Sequence, residues 1–352
     1  MKKENNTIYI NGRFLTQKIT GVQRYAIEVV KQLDMIKSNY KFIILAPKKE
    51  IIQHLKLENI QILNVGKFKG QAWEQISLPL YVLKHNRKAK LLNMCNLAPL
   101  LYPGYIVIHD IAFKTHPEHL DKKFALWYRL VTRINIRRYK HIFTVSNFSK
   151  NEILENYKVS SDKITVTYNS AEHMKYIKPD ESIIRKLKLE DKEFCFSLGS
   201  KSPHKNHKFI VECAKNNPNM SFVISGNDNN IFKNKENKEK FDNMIYAGYL
   251  DDKQLVALYK KCKAFIFPSL YEGFGIPPLE ALEAGCKNVI VSNLDVLKEI
   301  YGGNAKYIKL ENQEYESKNI LKKVSENIEI SEEKFENYKW EKTARIILEK
   351  LR

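Results

Sequence analysis

Short runs in which every residue is apolar alternate with segments of helical periodicity, and the whole pattern starts again after a polar break. "YKFIILAP", "GYIVIHD" and "HIFTVS" are such runs in the first half, and "KAFIFPS" and "NVIVSN" in the second. A strand apolar on both faces must be covered on both faces, so it belongs inside a parallel sheet with helices on either side. The first half reads as strands at "TIYING", "YKFIILAP", "IQILNV", "AKLLNMC", "GYIVIHD", "HIFTVS" and "KITVTYN". Between them, Val22, Tyr25, Ala26, Val29, Val30 and Leu33 recur at helical spacing. Further helices are expected at "KEIIQHLKL", "WEQISLPLYVLKHN", "DKKFALWYRLVTRINIRRYK" and "NFSKNEILENY", the last capped by Asn147 or Ser149.

The stretch "SAEHMKYIKPDESIIRKLKLEDK" is polar, contains Pro179 and reads as a linker. Strands at "EFCFSLGS", "MSFVISG", "NMIYAGY", "KAFIFPS" and "NVIVSN" follow, with helices at "NHKFIVECAKNN", "DDKQLVALYKKC" and "PPLEALEAG". "GNDNNIFKNKENKEKFDN" reads as a mobile surface loop. The expected fold class is α/β, with two Rossmann-like doubly wound domains in series facing each other across a cleft. Their boundaries are 1–172 and 173–337. A terminal amphipathic helix, 338–352, carries Trp340, Ala344, Ile347 and Leu351.

Composition narrows the class. No apolar run is long enough to span a bilayer, and "MKKENNTIYING" lacks the apolar core of a secretion signal. The five cysteines are scattered without a C-x-x-C pair, which speaks against a zinc site or disulfide framework and for a cytoplasmic location. The formal charge of +19 is uneven: residues 1–175 hold 29 Lys and Arg against 13 Asp and Glu, while residues 176–352 hold 30 against 27. A basic half points to a polyanionic partner, either nucleic acid or an anionic membrane surface. No zinc-finger spacing or RNA-recognition aromatic motif supports nucleic acid.

The chemistry concentrates in "SLYEGFGIPPLEALEAG", where Glu272 and Glu280 flank a glycine turn and a double proline. The turn follows the expected strand "KAFIFPS", and ligands of open parallel sheets bind outside such strand ends. Gly273 and Gly275 let the backbone approach a ligand closely. Pro277 and Pro278 suit the first turn of a helix, whose N-terminus favours a phosphate. Glu280 is expected in that first turn, where a carboxylate accepts from paired sugar hydroxyls. An acid–base pair of glycosidase type is disfavoured, because both groups lie on one loop–helix unit. "SLGSKSPHKN" places Gly199 and Lys205 after another strand, toward the same phosphate position. In the first half, Gly21 opens a helix and His109 ends the strand of "VIHD".

Together these elements resemble the retaining GT-B glycosyltransferases, specifically glycosyltransferase family 4, along essentially the whole chain. "EGFGIPPLEALEAG" carries the resemblance in combination with "GSKSPHKN", "VIHD", "TVSNFSKNEI" and "KITVTYNS". The resemblance implies that helix 338–352 crosses back onto the first domain, that Glu272 holds donor sugar hydroxyls and that Glu280 holds the ribose. The backbone of Phe274, Gly275 and Ile276 then contacts phosphate and sugar, Lys205 grips the diphosphate, and His109 lies at the donor sugar. Two positions depart from the family pattern: its arginine is Ser200 here, and its glycine after the lysine is Asn206. Lys201 or Arg24 is a candidate replacement for the missing cation.

The implied reaction transfers a sugar from a nucleotide-sugar donor to a glycan acceptor with retention of configuration. Its growing diphosphate charge would be met by Lys205, the helix N-terminus after Gly275, and Gly21. The chain contains no Asp-x-Asp, so no metal or other cofactor is implied. The basic half, and above all residues 121–140 with Phe124, Leu126, Trp127 and Tyr128 among seven cations, suggests a lipid-linked acceptor. Peripheral contact with the inner face of the cytoplasmic membrane is then expected. The alternatives are a nucleotide-sugar epimerase on a similar two-domain fold, for which no acid–base set is visible, and a nucleic-acid-binding protein.

Overall fold

A computed structural model of the chain describes residues 6–48, 51–199, 202–226 and 241–351. It divides into two compact units, residues 1–169 with 338–352, and residues 170–337.

The first unit is built on seven strands: β1 (Thr7–Asn11), β2 (Lys41–Pro47), β3 (Gln61–Val65), β4 (Lys90–Asn93), β5 (Tyr105–Val107), β6 (His141–Thr144) and β7 (Ile164–Val166). They form one parallel sheet in the order β3-β2-β1-β4-β5-β6-β7. Strand order therefore reverses between β1 and β4. Six of the seven residues of β2 and all of β6 are buried, as continuous apolar strands require. One face is covered by a cluster that includes Ile106, Ile142, Ile153, Val131 and Tyr128. Another includes Tyr9, Leu45, Trp73 and Leu91. The last helix, Trp340–Lys350, packs on helix Gly21–Met35 of this unit. Trp340 meets Tyr25 edge-on with ring centroids 5.8 Å apart, and Thr343 Oγ1 donates to the Tyr168 carbonyl at 2.6 Å.

The second unit has six strands: β8 (Phe194–Leu198), β9 (Ser221–Ser225), β10 (Met244–Gly248), β11 (Ala264–Phe267), β12 (Val289–Ser292) and β13 (Lys306–Ile308). All are parallel, in the order β10-β9-β8-β11-β12-β13, and the order reverses between β8 and β11. The architecture is α/β with two Rossmann-like doubly wound sheets.

Several local expectations are corrected. The helix expected at "KEIIQHLKL" is absent over residues 51–57, where burial alternates residue by residue as in extended chain. The backbone N–H groups of Ile52 and Gln53 both donate to the Leu15 carbonyl, so these two donors go to the 3₁₀ turn Gly12–Thr16 rather than into a helix of their own. Helix Asn147–Asn156 is capped by Ser146, whose Oγ accepts from the Ser149 N–H at 3.0 Å, rather than by Asn147 or Ser149. The polar "linker" contains a packed 3₁₀ turn, Glu172–Tyr176. Helices Ser182–Lys186, Asp295–Tyr301, Gln313–Lys318 and Ile320–Ser325 and strand β13 belong to the second unit beyond the elements read from sequence. Most of "GNDNNIFKNKENKEKFDN", residues 227–240, lies outside the described residues.

Candidate functional site

In the second sheet, the carboxyl ends of β8 and β11 flank the reversal of strand order, the position where open α/β sheets form their ligand crevice. Each end carries one of the residues singled out from sequence. After β8 and Gly199, a 3₁₀ turn, Pro203–Lys205, leads into helix His207–Asn216. After β11, the loop through Tyr271–Phe274 leads into helix Ile276–Glu283. The two loops are stitched together: the Leu270 N–H donates to the His204 carbonyl at 2.7 Å, and Lys205 Nζ donates to Glu272 Oε1 at 2.5 Å. Lys205 also lies 5.1 Å from the centre of the Phe267 ring. The ammonium and carboxylate are 18% and 12% exposed, enough to meet a ligand and too little to be swamped by water.

Asn206 explains one departure from the family pattern. It sits at φ 52°, ψ 44°, in the left-handed region that glycine favours and asparagine tolerates. Its side chain is tied down by donating to Gln313 Oε1 at 3.2 Å. Ser200 and Lys201 lie outside the described residues. Arg24 belongs to the first unit and lies 3.8 Å from Glu28 on its own helix.

Gly275 is the N-cap of helix Ile276–Glu283 at φ 84°, ψ 67°. A Cβ there would come within 2.7 Å of Leu297, so both the conformation and the space require glycine. The Gly275 carbonyl accepts from the buried Tyr301 hydroxyl, which fixes the loop from below. Phe274 and Ile276, on either side of this glycine, are buried at 3% and 7% exposure.

Glu280 is not in the first turn of its helix. That helix begins at Ile276 and its first turn holds no acid. Glu280 lies in the second turn and is 9% exposed, with His173 Nε2 3.9 Å from its Oε1. His173 comes from the turn Glu172–Tyr176, and Lys175 of the same turn lies 3.6 Å from Glu283. Sequence reading missed His173 because it falls in a stretch taken for a linker. The available signal was a basic pair two apart, His173 and Lys175, facing an acidic pair three apart, Glu280 and Glu283. Tyr259 is buried, with its hydroxyl pushed well up first by burial and then by the Glu280 charge.

His109 and Gly21 belong to the first unit. Gly21 opens helix Gly21–Met35, preceded by a Thr20–Gln23 capping box. Tyr25, one turn on, packs edge-on against His109 at 5.0 Å. His109 is 5% exposed; its Nε2 lies 2.9 Å from the Met94 carbonyl, and its backbone N–H donates to Asn96 Oδ1 at 2.6 Å. Burial lowers its pKa to about 4, against a smaller opposing effect of the Met94 carbonyl. At neutral pH the ring is uncharged, with Nε2–H donating and Nδ1 bearing the lone pair.

Among the described residues, His116, Glu118 and His119 have their ligand atoms within 4.8 Å of one another. This cluster is on the first unit and includes none of the residues above.

Known proteins resemble the chain in sequence and in fold. Residues 179–341 match the family model of glycosyl transferases group 1. The matched stretch covers most of the second unit, and the likeness to solved structures shows that the chain has the GT-B fold. Among its relatives, the O-antigen chain mannosyltransferase RfbU of Salmonella typhimurium is 30% identical over 232 residues, which cover 64% of this chain and 62% of that protein. The match therefore spans less than two-thirds of that relative's length. O-antigen chain mannosyltransferase B of Escherichia coli is 27% identical over 313 residues, 81% of each chain. Among solved structures, Anabaena HepE in complex with UDP and glucose superposes with a TM-score of 0.68 at 16% identity, over 98% of this chain and 99% of that one.

Proposed function

We propose that the protein is a retaining glycosyltransferase that moves a sugar from a nucleotide-sugar donor to a hydroxyl of a lipid-linked glycan in cell-surface polysaccharide synthesis. The observation that carries this reading is the meeting of Lys205 and Glu272 where the strand order of the second sheet reverses. A cation and a carboxylate there match the two halves of a sugar diphosphate, one anionic and one rich in hydroxyls. The relatives named as O-antigen mannosyltransferases make mannose the first donor sugar to test.

In this reading the bond from the anomeric carbon to the diphosphate oxygen breaks as the acceptor oxygen bonds to the same face. The acceptor's proton passes to a diphosphate oxygen. Lys205 and the N-terminal end of helix Ile276–Glu283 stabilise the departing charge. Glu272 accepts from the donor sugar and Glu280 from the ribose. His109, uncharged near pH 7 with Nε2 engaged by Met94, orients the donor rather than acting as a charged acid. No metal is required in this scheme, and the basic first unit holds the enzyme at the membrane that carries its acceptor.

The test is nucleoside diphosphate release from GDP-, UDP- and dTDP-sugars, with and without a lipid-linked glycan acceptor, and NMR assignment of the product anomer. Acceptor-dependent release with the donor's anomeric configuration kept is expected. Inverted product would overturn the retaining assignment, and silence across the panel would overturn the transferase reading.

A further inference from the structure

The first unit carries an amphipathic surface that the transfer chemistry does not use. Helix Lys122–Asn135 turns Ala125, Tyr128, Val131, Thr132 and Asn135 into the unit. Tyr128 packs on Phe113, and Trp127 is half-buried with its Nε1 3.4 Å from Gln71 Oε1. The aromatic patch expected from sequence is therefore largely turned inward. What the helix exposes is Phe124, at 41%, and an aliphatic row at intervals of four: Leu126 is 69% exposed, Leu130 48% and Ile134 43%. Burying such a row removes apolar area from water, and no described part of the chain does so.

Cations flank the row. Lys122, Lys123, Arg129, Arg133, Arg137 and Arg138 are all exposed, and among the described residues none of them is in an ion pair. Arg138 Nη1 donates to the Leu100 carbonyl at 2.7 Å, which anchors the loop bearing Leu101, itself 62% exposed. Gln75 binds the same loop through the Leu100 N–H at 3.0 Å. The surface thus extends from the helix onto a fixed loop.

We infer that this face is a docking surface for an anionic lipid bilayer, with Leu126, Leu130 and Ile134 entering the headgroup boundary and the six cations meeting lipid phosphates. Apolar side chains centred between cations fit an interface that is hydrocarbon below and anionic above. A second copy of the chain is disfavoured as occupant, because it would bring like charges face to face. A nucleic acid would use the cations and leave the aliphatic row in water. No helix among the described residues is long and apolar enough to cross a membrane, so docking of this kind lies on the surface. The inference names a partner for the proposed transferase, yet its readout needs no turnover.

The experiment is co-sedimentation of the full chain with phosphatidylcholine vesicles containing 30% phosphatidylglycerol, at about 0.1 M salt, where screening acts over about 10 Å. Binding is expected, with little to pure phosphatidylcholine. Reversing Arg129, Arg133 and Arg137 to Glu should lower partitioning by roughly a hundredfold or more. The triple change L126S/L130S/I134S keeps every charge and should lower it by roughly tenfold, leaving a weaker, fully salt-sensitive remainder. Thermal melting of both variants near the wild-type value shows that they fold. Absence of vesicle binding at low salt overturns the inference. So does serine variants binding as well as wild type, or equal competition by DNA, each of which reduces the face to a polyelectrolyte patch. Concentration-dependent dimerisation abolished by the serine changes would assign the row to self-association instead. Transfer to a short-chain, water-soluble acceptor should persist in both variants; its absence in wild type as well would indict the transferase reading and leave the docking result standing.

Discussion

Both units are parallel α/β sheets with the same reversal of strand order, yet their surfaces differ in two ways. Residues 1–169 and 338–352 hold 33 Lys and Arg against 14 Asp and Glu, whereas residues 170–337 hold 26 against 26. The entire net charge therefore resides in the first unit. Among the described residues, the exposed large hydrophobics of the second unit are all tyrosines, Tyr176, Tyr246, Tyr249 and Tyr315, while the first exposes leucines, isoleucines, phenylalanines and a methionine. A tyrosine keeps a hydroxyl for water, and an exposed leucine row does not. The difference teaches that the same sheet topology can carry two quite different surfaces. The neutral unit carries the proposed nucleotide site, and the basic one presents a face suited to an anionic interface.

If that division is right, changes at the β8–β11 end of the second sheet should strike chemistry and spare vesicle binding. The largest effect is expected for Glu272→Gln. Loss of a charge-assisted hydrogen bond costs about 1.5–3 kcal/mol, or roughly ten- to a hundredfold in rate. Steady-state turnover checks it, with melting temperature confirming the fold. Near-normal turnover would remove Glu272 from the site.

Lys205→Ala should weaken binding of a nucleoside diphosphate by roughly tenfold or more, as loss of a charged hydrogen bond predicts. The parent nucleoside should be nearly unaffected. Glu280→Ala should weaken both ligands, because its proposed partner is the ribose. Isothermal titration with each pair of ligands separates the cases. An equal loss for both ligands in Lys205→Ala would move that residue away from the phosphates.

Acid should divide the units as well. Burial lowers the pKa of His109 and His141 to about 4, and both belong to the first unit. Between about pH 6.5 and pH 4 the unfolded chain binds protons that the folded state refuses. Stability is thus complete above pH 6.5, falls as the pH drops through this window, and levels off below it. In the second unit His207 is lowered too, by burial and then by Lys205. Hydrogen exchange should show β5 and β6 opening before β8 and β11 as the pH falls from 7 to 4. His109→Gln should shallow that slope. Simultaneous opening of both sheets would break the distinction.

The smallest expected effect is that of a chelator. If Lys205 and the helix N-terminus meet the diphosphate charge alone, EDTA should change the transfer rate by less than about twofold, since no metal-centred stabilisation is withdrawn. A large loss restored by Mg²⁺ or Mn²⁺ would return a cation to the scheme.

The doubly wound architecture was legible in the sequence because the inner strands are apolar on both faces, and burial on both faces is a local demand that local composition answers. Glu272, Lys205 and Gly275 were legible for a related reason. A strand end, a glycine turn and a prolyl helix start are local devices, and their chemistry follows from position. What the sequence left open depends on contacts between distant segments. Lys205 meets Glu272 across 67 residues only because β8 and β11 are neighbours in the sheet. Glu280 moved from the first helical turn to the second because Gly275 takes the cap and Ile276 starts the helix. His173 reached Glu280 because a stretch polar enough to pass for a linker packs as a turn against that helix. Composition likewise fixed how basic the Lys122–Asn135 helix would be, since charge is a sum over residues. Which of its apolar residues turn inward was settled by packing against Phe113 and Gln71, and that rotation left leucines and an isoleucine, rather than Trp127 and Tyr128, facing out.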